Sequence, residues 1–215
     1  MLVQTPSQIF KADFAAWKKE EQSIIHKIID ENNTLGNHFR VTEVVLDEDG
    51  SYLYETNENS NTLILCLYGN FTLDSLKNTI TSNKVVTIQS VQKTSFEIRN
   101  SLDTDKADLL IFEFKTRPSE DAISVEELSI ESSNSLFPIS KNIETPNFVG
   151  LYDGRMEETY PVQNLQKSIF GMVINGAFEF QNRLMESRDA IILSEIETLE
   201  FEALSENALL VFFEI

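Results

Sequence analysis

The chain repeats itself. Val173-Ile174-Asn175-Gly176-Ala177-Phe178-Glu179-Phe180 echoes Leu65-Cys66-Leu67-Tyr68-Gly69-Asn70-Phe71-Thr72, and the closing run Ala208-Leu209-Leu210-Val211-Phe212-Phe213-Glu214-Ile215 echoes Ala107-Asp108-Leu109-Leu110-Ile111-Phe112-Glu113-Phe114. Both echoes are displaced by about half of the 215 residues, so two copies of one β-rich unit fit better than one irregular domain. That length gives each copy enough residues to bury a core, and 15 Phe supply large apolar side chains without polar handles.

Short apolar runs bounded by turn residues dominate, the pattern of sandwiches and barrels. Val41–Leu46 leads through Asp47-Glu48-Asp49-Gly50 into Ser51–Glu55, which predicts a hairpin with Gly50 in the turn. Asn83–Ile88 and Ser95–Ile98 read as further strands, and Asp153-Gly154 as a second hairpin turn. Leu199, Phe201 and Ala203 alternate with Glu200 and Glu202, giving one buried and one wet face. The best helix is Ala15–Gln22 with Asp13 as its N-cap. Ile24–Ile29 is able to extend it, but β-branching favours a strand. Lys115 to Asn147 is polar, punctuated by Pro118, Pro138 and Pro146, with a helical turn expected at Val125–Leu128.

The formal charge is −18, and such a surface repels phosphate backbones and anionic lipid, so neither nucleic acid nor membrane is an expected partner. Cys66 is the only cysteine, which excludes an intrachain disulfide and a cysteine-cluster metal site. Met1–Pro6 lacks the charged start and apolar core of a signal peptide, no run approaches a membrane span, and a cytoplasmic protein is expected. The sequon-like Asn32-Asn33-Thr34 and Asn70-Phe71-Thr72 are therefore read as chance matches.

The cadence of strands and turns resembles a cupin barrel. Asp153 to Tyr160, Val173 to Glu179, Arg183 to Asp189 and Phe201 to Leu204 look like the C-terminal cupin of pirin-related bicupins, the group also labelled quercetinase-like. The first half is similar to that family's N-terminal cupin in layout, mainly through Leu65–Leu73 and Ala107–Phe114. The resemblance implies an all-β bicupin, two antiparallel double-stranded β-helix (jelly-roll) barrels with short helical additions. It divides the chain into an N-terminal cupin with an extension at 1–116, a linker at 117–147 and a C-terminal cupin at 148–215, with a Phe-rich interface shared by the barrels.

In metal-dependent pirins, the resemblance implies, two histidines and a glutamate precede the glycine and a histidine follows. Counted back from Gly69, those positions fall on Glu55, Asn57 and Asn61, and the later one near Ser95 or Phe96. None is a histidine. The same offsets from Gly176 reach Val162, Asn164 and Ser168. His26 and His38 lie upstream without partners at metal-ligand spacing. A hard-cation site on Glu55, Asn57 and Asn61 would gather fewer carboxylates than such sites normally use. No cofactor and no metal are expected, and no catalytic residue is assigned.

The expectation is a metal-free pirin-like bicupin that binds a small molecule or a protein, with the oligomeric state open. Its alternatives are a metal-dependent quercetinase-like dioxygenase and a structural or assembly protein. Tyr54, Glu55, Asn57 and Asn61 are expected to line a residual pocket in the first barrel, suited to a polar or cationic ligand, unless neighbouring side chains plug the mouth.

Overall fold

The computed structural model describes residues 5–30, 39–76 and 78–215. His38 and the Asn32 sequon lie outside the described residues. The chain forms two compact units, one comprising residues 15–128, the other residues 1–14 and 129–215. Each is a double-stranded β-helix built from two facing antiparallel sheets.

In the first unit a seven-stranded sheet runs in the order Ala122–Glu127, Lys84–Ser90, Ser60–Tyr68, Ala107–Lys115, Phe39–Leu46, Ser23–Ile29 and Trp17–Lys19. Its partner sheet runs Ser51–Glu55, Ser95–Asn100, Asn70–Leu73 and Ile80–Thr81. The second unit repeats the plan. One sheet runs Ser7–Phe10, Ala190–Leu193, Ile169–Asn175, Ala208–Glu214, Asn147–Tyr152 and Ser135–Pro138; the other runs Glu157–Pro161, Thr198–Ala203, Ala177–Phe180 and Arg183–Glu186. The two echoing pairs of segments thus occupy matching places, with Ala107–Lys115 and Ala208–Glu214 in the interior of their sheets.

Gly69 and Gly176 show why the echo is structural. Both adopt positive φ, 79° and 81°, which favours glycine. A Cβ on Gly69 would come within 3.0 Å of Ala107 Cα, and one on Gly176 within 3.0 Å of Ala208 Cα. Each turn therefore packs directly on the first residue of its closing strand.

The barrels are filled by the inward residues of both sheets. In the first, Ile64, Cys66, Phe71, Val86, Ile98 and Ile111 belong to one buried cluster. In the second, Phe178, Phe180, Leu199, Phe201 and Phe212 do so, with the rings of Phe178 and Phe201 set edge to face 6.2 Å apart. Leu199, Phe201 and Ala203 are buried as their alternation predicts.

Several local expectations change. Residues 12–14 form a 3-10 turn and Trp17–Lys19 an edge strand, where a helix from Ala15 was expected. Cross-strand pairing of Trp17 with His26, their rings 5.1 Å apart, overrides local helix propensity. Val125 lies in a strand paired with Lys84–Ser90, not in a helical turn. Neither acidic turn closes a hairpin: the strands flanking Asp47–Gly50, like those flanking Asp153-Gly154, belong to opposite sheets of one barrel. Positive φ falls on Asp49 and Arg155 instead of the glycines. Gly50 is required by crowding, because a Cβ there would sit 2.5 Å from the Gln22 carbonyl.

The polar segment 117–147 is divided between the units. Ala122–Glu127 extends the first barrel and Ser135–Pro138 the second. The N-terminal strand Ser7–Phe10 pairs with Ala190–Leu193 of the second barrel, where Lys11 and the Ala12 N–H both bind the buried Asp189 carboxylate. An extension expected to accompany the first cupin thus lies on the second. Backbone pairing over long sequence separation leaves no local signal. Among the described residues, no helix is long and apolar enough to cross a membrane.

Candidate functional site

Each barrel carries a glutamate near the end of its closing strand, Glu113 and Glu214, with exposures of 1% and 0%. Alternation from Leu109 and Ile111, or from Leu210 and Phe212, turns each carboxylate inward. Glu214 accepts hydrogen bonds from Tyr160 Oη at 2.8 Å and from the backbone N–H groups of Gln163 and Asn164 at 2.7 and 3.2 Å. Glu113 accepts from Tyr54 Oη at 2.9 Å and from the Asn57 N–H at 2.6 Å. It also forms an ion pair with Arg40. A buried carboxylate persists only when so satisfied. In both barrels it ties the turn after one sheet to the last strand of the other.

Beyond this shared knot the barrels differ. Thr62 stands directly opposite Glu113, and Ile169 opposite Glu214. The first barrel's interior continues with Thr56, Ser60 and Ser90, all buried, while the second has Val162 and Ile169 at that level. Thr62 Oγ1 and Ser90 Oγ have no hydrogen-bond partner in the protein. Such buried hydroxyls call for a partner from outside the chain, water or ligand. Ser90 pairs with Ser60, whose own hydroxyl donates to the Asn57 carbonyl at 2.8 Å. Ser60 and Glu113 in turn border a surface cleft of about 510 Å³, lined also by the Asn57–Asn59 turn, Lys115, Thr116 and Arg117.

The four residues chosen from the sequence are not brought together. Tyr54 is buried, stacked on Phe96 with ring centroids 5.5 Å apart. Burial, with the Glu113 charge as a lesser cause, pushes its phenol well above the usual range. Glu55 points the other way, its side chain 58% exposed and paired with Lys93 at 2.7 Å. That contact lowers its carboxyl from the ordinary value. Asn57 borders the cleft, but Asn61 is buried on the opposite sheet face from Ser60 and Thr62, its Oδ1 without a hydrogen-bond partner. Counting back from Gly69 gave Glu55 and Asn61 the inward direction. Strand alternation gives it to Tyr54, Thr56 and Thr62, and a one-residue offset reverses every side chain.

The inward residues do not fit a divalent metal. Tyr54, Thr56, Thr62 and Phe96 offer no imidazole, and Glu113 is already engaged by Arg40 and Tyr54. Among the described residues, no group of three His, Cys, Asp or Glu side chains is arranged to hold one. His26 lies on a strand beside Trp17, and burial lowers its pKa. Sequence reasoning missed Arg40, Thr62, Ser90 and Glu113. The glutamates were nonetheless present in the echo, at matching places in the two closing runs.

Two such barrels in one chain define a bicupin. No protein-family model matches the sequence, and no curated protein does. Among solved structures the chain is similar to the nickel(II) complex of the bacterial pirin YhhW from Escherichia coli, with a TM-score of 0.80 at 11% identity over 97% of this chain and 99% of that one. It is also similar to quercetin 2,3-dioxygenase from Acinetobacter baumannii, with a TM-score of 0.75 at 12% identity over 98% and 86%. At such identities the likeness is one of fold: a pirin-like, cupin architecture.

Proposed function

We propose that this chain is a metal-free, pirin-like bicupin of the cytoplasm, whose first barrel binds a small polar molecule at its mouth. The observation that carries this reading is the asymmetry between the barrels. At equivalent levels the second closes with Val162 and Ile169, while the first presents Thr56, Thr62 and Ser90. The hydroxyls of Thr62 and Ser90 lack partners, and these residues pair across the sheet with Glu113 and Ser60, which line an open cleft. Buried polar atoms left unsatisfied lower stability by about 1–3 kcal/mol each, so their retention is explained by a bound partner. A fold alone does not assign chemistry. The dioxygenase activity in the name of the Acinetobacter neighbour is therefore not carried over to a barrel whose inward side chains lack imidazoles. The free, buried thiol of Cys66 accords with a reducing compartment.

Thermal-shift screening of the full chain against a metabolite panel tests the proposal. A ligand at 100 times its dissociation constant adds about 2.7 kcal/mol to stability, and that gain should shrink in Ser90→Ala and Thr62→Val. A panel that never raises the melting temperature overturns the reading, as does a hit indifferent to both substitutions. Elemental analysis after chelator-free purification should find no stoichiometric transition metal; finding one that Tyr54→Phe or Glu113→Gln removes would restore the dioxygenase alternative.

A further inference from the structure

The same cleft carries a second, independent signature, in its charges. Lys115 and Arg117 both line it and are exposed, two residues apart at and just beyond the end of the closing strand. Acidic residues outnumber basic ones by 35 to 17 in this chain, and elsewhere in the first barrel Lys93 sits on Glu55, Arg99 on Glu97 and Lys106 on Asp47. Among the described residues, no ion pair holds Lys115 or Arg117. Two adjacent unpaired cations therefore face a cleft whose wall also bears the Ser60 hydroxyl and Thr116, whose Oγ1 is buried without a hydrogen-bond partner.

We infer that this cleft binds a small hydroxylated carboxylate, such as a sugar acid or hydroxy acid, with its carboxylate held by Lys115 and Arg117. The inference rests on the small-molecule reading above and names the ligand class. Arginine and lysine make charge-assisted hydrogen bonds to carboxylate oxygens, about twice as strong as neutral ones. The ligand's hydroxyls match the remaining wall, donating to Glu113 or to the Ser60 oxygen, whose own proton is held by the Asn57 carbonyl, and accepting from Thr116. A singly charged carboxylate suits the site better than a phosphate dianion, because Glu58 and Glu113 border the same cleft and would repel the second charge. The chain's overall negative charge acts mainly at range, and at physiological ionic strength it is screened beyond about 8 Å. At contact distance the two cations dominate. This differs from the expectation of a polar or cationic ligand, which rested on the aromatic, acidic and amide character of Tyr54, Glu55, Asn57 and Asn61 together with the net charge.

Calorimetric titration of the full chain with gluconate, galacturonate and malate, each against its neutral counterpart (glucose, galactose and malamide) and against inorganic phosphate, tests this. At least one carboxylate should bind saturably, with its neutral counterpart weaker by roughly tenfold or more. Lys115→Gln and Arg117→Gln, both at exposed positions, should each weaken that carboxylate by a similar factor while leaving the circular dichroism and melting temperature of the free protein unchanged. Neutral compounds binding as tightly as the acids, phosphate binding more tightly than any carboxylate, or indifference to both substitutions would overturn the inference. If neutral compounds then still stabilise the protein in a Ser90- and Thr62-dependent way, the small-molecule reading survives without its anion. If nothing in either set binds, the carboxylate inference falls, and the metabolite panel alone decides the small-molecule reading.

Discussion

Replacing Glu113 by alanine should damage this protein far more than the same change at Glu55, the glutamate to which sequence counting points. Glu113 is 1% exposed and accepts from Tyr54 Oη and the Asn57 N–H while pairing with Arg40. Alanine at this position leaves the guanidinium, whose side chain is only 23% exposed, without its carboxylate, and a buried phenol without its acceptor. Removing one partner of a buried ion pair costs about 3–5 kcal/mol, a large part of the 5–15 kcal/mol typical of a folded domain. Glu113→Gln keeps the shape and one acceptor, so its loss should be smaller. Tyr54→Phe removes a single hydroxyl and should cost about 1–3 kcal/mol. Glu55→Ala deletes a solvent-exposed pair with Lys93 and should leave stability unchanged. Urea denaturation followed by circular dichroism, with the slope checked for constancy, measures all four. A loss below about 1 kcal/mol for Glu113→Ala, or equal losses at positions 113 and 55, would refute the claim that the buried knot holds the barrel end.

The two equivalent turns should respond alike: Gly69→Ala and Gly176→Ala each place a side chain at positive φ and within 3.0 Å of an alanine Cα, and each should lower stability by about 1–3 kcal/mol. A neutral result at either would break the equivalence of the repeats. Truncation after Asn207 removes the strand Ala208–Glu214 from between two neighbours, with several buried side chains worth about 1.5–3 kcal/mol each; insoluble protein is expected, and a soluble, folded product would contradict the pairing. Burial, with the nearby Asp108 charge as a second cause, pushes the Cys66 thiol up to about 12. A thiol reagent at pH 8 should therefore label it only after unfolding. Because the folded value is the raised one, this stability is fully present below the unfolded thiol's pKa and is lost as pH rises from about 9 toward 12. Rapid native labelling at pH 8, or a denaturation midpoint flat across that range, would count against it.

The repeat by itself determined the architecture. Two Gly-containing turns and two closing runs at matching spacing require two copies of one unit, and alternation at Leu199, Phe201 and Ala203 told which residues lie inside. The strand at Ile24–Ile29 followed from β-branching, and the lack of histidines near Gly69 from the residues themselves. Tertiary structure decided what depends on partners far away in the chain. Trp17–Lys19 is a strand only because His26 lies beside it, and residues 7–10 join the second barrel only because Ala190–Leu193 offers an unpaired edge. The site depended on long-range register in the same way. Whether Glu55 or Tyr54 faces inward turns on a single residue of alignment, and Glu113 gains its significance from Arg40 and Tyr54, more than fifty positions away. Periodicity is a local property of the sequence, whereas facing and pairing are set by the strand across the ladder.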